Sequence, residues 1–262
     1  VLPAGGFLQH TLLAQLEGWL AAGVIAATPG AAGPPRPVHR LGRFTSGLLV
    51  CARRSASRAW LSALLRDSSG RPGATARAAG SPPSPPSPSS PSPPSPSPSP
   101  SPSPSSPSSP SASPRCHKLY RALTAPLPAD WAIGETRDLT TPIGLRPHPR
   151  LGRIWCAASS EDQAALPSRS TLTLLERRSD CCLVAVAIAT GRPHQIRIHT
   201  AALGAPLLGD PLYRPGGDAD PAALPGDGGY QLHAHRLSIT RPDGQRLELE
   251  ASLPPLLVRR SP

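Results

Sequence analysis

The stretch V-H-R-L-G-R-F-T-S-G-L-L-V-C-A, Val38 to Ala52, decides how this chain is read. It opens as a polar, extended segment, passes a glycine-containing turn and closes in the apolar run Leu48 to Ala52. That order predicts a loop feeding a buried strand. His39, Arg40, Arg43, Thr45 and Ser46 crowd the loop half, a set of donors suited to phosphate or carboxylate.

Two further segments extend the pattern. Lys118 to Ala125, K-L-Y-R-A-L-T-A, reads as a strand. Thr190 to Leu203, T-G-R-P-H-Q-I-R-I-H-T-A-A-L, reads as a strand end, a turn at Gly191 and a helix start near Pro193. The run Gly204 to Arg214, G-A-P-L-L-G-D-P-L-Y-R, follows directly. Together these segments resemble, in the same order, the motifs of the RluA-type RNA pseudouridine synthases: H-R-L-D-x-x-T-S-G, K-x-Y-x-A, T-G-R-x-H-Q-I-R-x-H and L-G-x-P-L-x-G-D-x-x-Y. The resemblance covers most of residues 1–80 and 115–255.

The resemblance implies an α+β fold: a mixed, largely antiparallel sheet with flanking helices and an RNA-binding cleft. It also implies a reaction, the isomerisation of uridine in RNA to pseudouridine, with ribosomal RNA as the expected target. That reaction breaks the N-glycosidic bond, turns the base and rejoins it through carbon, so no cofactor and no metal is expected. It calls for an aspartate, a cation to hold that aspartate ionised and an aromatic ring to receive a flipped base. By resemblance Arg197 is the cation and Tyr120 the ring. His39, Arg40, Arg43, Thr45, Ser46, Arg192, His194 and Gln195 are the residues expected to contact RNA or shape the loop. Without its setting, Tyr120 would read as an ordinary strand tyrosine and Arg197 as a solvated helix arginine.

One position departs from the pattern. Gly42 stands where the family has its catalytic aspartate, and glycine has no side chain with which to attack. Three alternatives stand. Another carboxylate serves, Asp67 and Asp138 being the candidates in sequence. Or the chain binds RNA without modifying it, leaving Arg197 without an anionic partner and free to take a phosphate. Or the glycine is a sequence error or a lineage variant in a chain that is still a synthase. Asp210 reads as an Asx-type turn residue. His194 and His199, five apart, read as hydrogen-bonding histidines and not as a metal pair. Ser46 lacks a hydrolase elbow around it and reads as a hydrogen-bonding loop residue.

The rest of the chain agrees with a single domain over 1–262. Thr11 to Ala22 predicts a helix stopped by Gly23. Ser55 to Asp67 predicts a second, capped by Ser55, with Ala59, Trp60, Ala63 and Leu64 as its inner stripe. Residues 81–114 are almost only Ser and Pro, cannot supply a core and are expected to form a disordered insertion within the domain. Thr136 to Pro149 reads as a polar connection and Arg153 to Ala157 as a strand. Ser170 to Leu175 with Cys181 to Ala189, and Gln231 to Thr240 with Gln245 to Ser252, read as hairpins, the second closed at Asp243-Gly244.

Composition sets outer bounds. The formal net charge is +11, and Lys118 is the single lysine. An arginine-borne excess suits a polyanion, with binding that weakens as salt rises. The five cysteines form no C-x-x-C pair, so reduced thiols are expected in place of a zinc knuckle or disulfide framework. No apolar run reaches bilayer length, so no membrane partner is expected. A monomer is expected. The chain starts at Val1, which reads as a missing natural start, and an intracellular protein is expected, an organelle being compatible with it.

Overall fold

A computed structural model describes residues 11–31, 33–66, 115–241 and 243–260. The Ser/Pro tract, Asp67 and the segment before Thr11 lie outside these residues. In chain order the elements are α1 (Leu12–Ala21), β1 (Arg36–Pro37), β2 (Thr45–Gly47), β3 (Cys51–Ala52), α2 (Ser55–Arg66), β4 (Arg115–Thr124), β5 (Thr136–Leu139), β6 (Ile143–His148), β7 (Gly152–Ala157), β8 (Ser170–Arg177), β9 (Cys182–Ile188), α3 (Gln195–Ala202), β10 (Leu232–Thr240) and β11 (Arg246–Glu250). A short 3-10 turn, Pro255–Leu257, follows.

Among the described residues the main sheet runs β11-β10-β4-β9-β8-β5 with antiparallel neighbours, and β2 adds to β10 as its one parallel strand. The expected α+β class with a mixed, largely antiparallel sheet is therefore present. Both expected hairpins are formed. At the second turn Gln245 N donates to the Asp243 carboxylate at 3.0 Å, and Gly244 adopts φ +81°.

One edge of β10 is shared. Its first half pairs with β2 and its second half with β11, and its register against β4 shifts between Ala234 and Arg236, where one partner gives way to the other. Gly47 sits at that junction with φ +98°, and an added Cβ would strike the Ala234 backbone. Leu48 N then donates to the Ala234 carbonyl at 2.9 Å. The glycine of T-S-G is thus what lets the signature strand lie against β10.

Three expectations need correction. The strand expected over Leu48 to Ala52 is split. Thr45–Gly47 joins the main sheet, whereas Cys51–Ala52 turns away to pair with Arg36–Pro37. The connection expected over Thr136 to Pro149 holds two strands, β5 and β6. β5 is a largely exposed sheet edge whose polar residues face solvent, and β6 pairs with β7 in a separate ribbon. Polar edge strands carry no apolar alternation to reveal them. The inner face of α2 is also rotated: Leu64 and Leu65 are buried, Trp60 and Leu61 pack beside them, and Ala59 and Ala63 are exposed. Ser55 begins that helix as its first residue and is not the residue before it.

Four apolar clusters hold the elements. The largest lies on one face of the main sheet and gathers Leu172, Leu174, Val184, Val186, Trp131, Ile196 and Tyr230. A second joins the β6–β7 ribbon to α3 through Ile143, Ile154, Ile198, Leu212 and Tyr213. A third seals α2 against Cys116, Leu237 and Ile239, and Lys118 donates to the Leu65 carbonyl beside it. The fourth places Leu257 of the 3-10 turn against Leu123, Cys181 and Leu183. α3 is buried on every side from Gln195 to Ala201, because it lies between the first two clusters.

We propose that residues 1–262 form one domain with 81–114 as an insertion. What supports this is that α2, ahead of the tract, shares a core cluster with β4, behind it. Deleting residues 81–114 is then expected to leave one cooperative unfolding transition, its stability changed by no more than about 1 kcal/mol, because loop closure depends weakly on loop length. Two separate transitions, seen by calorimetry in the shortened chain, would count against the single domain.

Candidate functional site

Arg197 projects from the buried helix α3 and is 4% exposed. Its Nε and Nη2 donate to the two carboxylate oxygens of Asp210 at 2.6 and 2.7 Å, and the Asp210 side chain is 0% exposed. The guanidinium lies 4.9 Å from the ring centre of Tyr213 and 4.4 Å from that of Tyr230. A planar cation is thus held in plane by a carboxylate and bounded by two aromatic rings. Burial works against its charge, but the Asp210 hydrogen bonds and charge outweigh that, and Arg197 holds its proton more tightly than a free arginine.

The turn after α3 builds this arrangement. Ala125 N and Leu208 N bond to the Pro206 and Leu123 carbonyls, which ties the turn to the end of β4. Gly209, at φ +81°, lies against the Gly229 backbone so closely that a Cβ would meet its carbonyl at 2.6 Å. This contact sets Tyr230 beside Asp210. The Asx-type turn expected at Asp210 is present, since Leu212 N donates to its Oδ1 at 3.0 Å. The same carboxylate is also the ion partner of Arg197. The expectation of an Arg197 without an anionic partner is therefore overturned.

The signature loop reaches the site through Tyr230. Thr45 Oγ1 donates to the Tyr230 hydroxyl at 3.5 Å, and the Phe44 and Tyr230 rings meet edge to face at 5.7 Å. Gly42 is exposed on this loop, and its carbonyl accepts from Thr45 N at 3.0 Å. A Cβ built on Gly42 would lie less than 3.0 Å from the Tyr230 hydroxyl oxygen, 3.1 Å from Thr45 Oγ1 and 3.5 Å from Tyr230 Cζ. The space for a side chain at 42 is thus taken by a phenol.

The other expected residues divide by the direction they face. Arg40 and Arg43 are exposed, with Arg43 near the Phe44 ring and donating to the Gly226 carbonyl at 3.4 Å. Arg192 is half-buried and donates from Nε to the Pro167 carbonyl. Ser46 Oγ bonds His233 Nδ1 at 2.8 Å, a hydrogen-bonding loop serine. His39 turns inward, where its Nε2 accepts from Val50 N at 2.9 Å and shapes the loop. Gln195, 3% exposed, accepts from Thr190 Oγ1 and Arg192 N and donates to the Arg169 carbonyl and Ser170 Oγ. It locks the turn to β8. His194 takes a left-handed backbone, φ 53°, and its Nδ1 lies 2.6 Å from the Tyr213 hydroxyl, which donates to the Trp155 carbonyl at 2.7 Å.

Tyr120 packs from β4 against the cluster that holds Tyr230 and Ile196, opposite Ala234 and Val186. Burial pushes its phenol up to about 12. All three tyrosines of the chain, Tyr120, Tyr213 and Tyr230, therefore lie at this site or on its supporting cluster. Asp138 binds Arg169 at 2.6 Å and Thr171 at 2.8 Å on the exposed β5 edge, not Arg197. It is not a substitute for the missing aspartate. Sequence reasoning passed over Tyr230, which belongs to no quoted motif, and Tyr213 and the ionic role of Asp210, for which the G-D-P-L-Y spacing was a usable signal.

Among the described residues no group of three or more His, Cys, Asp or Glu is placed to hold a metal ion. None of their helices is long and apolar enough to cross a membrane. The five cysteines are free, four of them buried.

The geometry can be set beside known proteins. No family model matches the chain. RNA pseudouridine synthase 5 of Arabidopsis thaliana is 32% identical over 288 residues, covering 99% of this chain and 68% of that protein. This chain belongs to the RNA pseudouridine synthase family. Ribosomal large subunit pseudouridine synthase D of Neisseria meningitidis is 33% identical over 143 residues, covering 52% of this chain and 36% of that protein. Human RNA pseudouridylate synthase domain containing 4 shares the fold, with a TM-score of 0.55 at 18% identity over 97% of this chain and 82% of that one.

Asp210→Ala leaves a buried guanidinium unpaired and is expected to cost about 3–5 kcal/mol, whereas adding Arg197→Met removes the stranded charge and restores most of that loss. Urea unfolding of both chains checks this. Burial also lowers His39, His194 and His199 from the ordinary 6.5 to about 4. The Lys118 charge assists at His39, and Arg197 and Arg40 assist at His194. The unfolded chain therefore takes up protons first as the pH falls. Their stabilising contribution is complete above about pH 6.5 and is lost as the pH drops towards 4. Unfolding free energy measured between pH 7 and pH 5 is expected to fall, and His39→Gln to flatten that slope.

Proposed function

We propose that this chain binds structured RNA, ribosomal RNA first, and isomerises a uridine of it to pseudouridine beside Arg197. The observation that carries the reading is the junction of Arg197 with the signature loop through Tyr230. It joins a fixed cation, aromatic surfaces and exposed Arg40 and Arg43 at one place, the elements that a flipped pyrimidine and its phosphates call for. The choice of ribosomal RNA rests on the name of the Neisseria relative, which matches only part of each chain. In this reading Arg40, Arg43 and Arg192 meet the RNA backbone, Thr45 and Ser46 set the loop, and His39, His194 and Gln195 hold the site from behind. Tyr120 supports the pocket wall or faces the base.

A second reading, RNA binding without turnover, is favoured by one observation. Residue 42 is glycine and the carboxylate that touches Arg197, Asp210, is wholly buried. The two readings part in one assay. Isomerisation through carbon 5 releases tritium from 5-tritiated uridine, so the chain is expected to release it from ribosomal RNA. The Arg197→Met/Asp210→Leu chain, which strands no charge, is expected to lose at least about 100-fold in rate. Salt-sensitive RNA binding with no release would instead establish the second reading.

A further inference from the structure

Position 42 and position 230 compete for one volume. The Tyr230 hydroxyl occupies the place of a Cβ on Gly42, whereas the next ring atom, Cζ, is 3.5 Å from that point, an ordinary van der Waals distance. Thr45 Oγ1, at 3.1 Å from the same point, has only to give by a few tenths of an ångström, so the deep conflict is with the Tyr230 hydroxyl oxygen. That oxygen is not free to move aside. The Tyr230 residue is 3% exposed, its ring lies 4.4 Å from the Arg197 guanidinium and edge-on to Phe44, and its backbone is locked against Gly209. Thr45 Oγ1 points at it from the loop.

We infer that Gly42 and Tyr230 form an exclusive pair. The Tyr230 hydroxyl takes the place of the side chain at 42 as the polar group that meets Thr45, while its ring lies against the Arg197 guanidinium. Tyr230 is then the positioning residue that decides whether this site can carry an acid at 42 at all. This rests on the reading of the site as a uridine pocket in RNA. It adds a steric rule: an aspartate at 42 and a tyrosine at 230 cannot coexist in this backbone.

The test is a double-mutant cycle on the full chain: Gly42→Asp, Tyr230→Phe and the two together, each read for melting temperature and for tritium release from 5-tritiated uridine in ribosomal RNA. Tyr230→Phe removes the atom in deepest conflict, leaves the milder contact with Thr45 and keeps the ring over Arg197. Gly42→Asp alone is expected to lower the melting temperature by about 5 °C or more, and Tyr230→Phe to recover most of that drop. The double variant is expected to release tritium about tenfold or more faster than the natural chain, and Gly42→Asp alone no faster than it. Equal melting effects of Gly42→Asp with tyrosine and with phenylalanine at 230 would overturn the pairing, as would equal release by the single and double variants. No release from any chain, with the melting coupling intact, would uphold the pairing and overturn the isomerase reading.

Discussion

The buried pair of Arg197 and Asp210 is the constraint around which the site is arranged. A guanidinium removed from water is tolerated only where its charge and donors are met, and here a bidentate carboxylate and two ring faces meet them. The pair also joins parts of the chain that would otherwise be independent. Arg197 comes from a helix, Asp210 from the turn after it, Tyr213 from the same turn and Tyr230 from the approach to β10. Those places are divided between two packing clusters, one holding Ile196 and Tyr230 and the other Ile198, Leu212 and Tyr213. Loss of the ionic contact would therefore loosen the site and the seam between the main sheet and the β6–β7 ribbon together.

Glycines set how closely those parts approach. Gly47 lets β2 lie on Ala234, and Gly209 lets the Asp210 turn lie on Gly229. Both take positive φ, so their need is conformational as well as spatial. Gly42 differs. No positive φ is required there, and what excludes a side chain is chiefly the hydroxyl of a distant residue, Tyr230, with Thr45 Oγ1 crowding the same point less severely. Two of the three glycines are thus demanded by the backbone, and the third by a neighbour that could itself have been different.

Much of this was legible in the chain. The role of Arg197 came from the family resemblance; the run from Thr190 to Leu203 gave the turn and the start of α3, the Asp243-Gly244 turn gave the last hairpin, and the loop ahead of Leu48 was placed before a strand that in fact begins within T-S-G. These signals are local, set by turn chemistry and apolar spacing within a dozen residues. The illegible parts are contacts across long separations or surfaces without apolar contrast. β5 is polar because it edges the sheet. The α2 face was misjudged because alanines fit a buried or an open position equally well, and only the partner strands decide between them. Asp210 showed its local turn role and hid its ionic one, since a short G-D-P turn looks the same with or without an arginine above it. Tyr230 lies 188 residues beyond Gly42, and no local pattern reports that separation.

That separation bears on how the glycine at 42 is understood. If the loop had merely lost a side chain, the cavity left behind would be open to water, and its surroundings would be free to drift. Instead the space is filled by a hydroxyl that Thr45 and the Arg197 stack hold in place. The cation keeps its anion in Asp210, behind it, so the charge balance of the site does not depend on residue 42 at all. A site whose ion pair is closed from within can hold a base by stacking and hydrogen bonds alone. What residue 42 does not supply to the loop is then a carboxylate, and the polar atom that stands in its place at the junction of loop and cation is the oxygen of Tyr230.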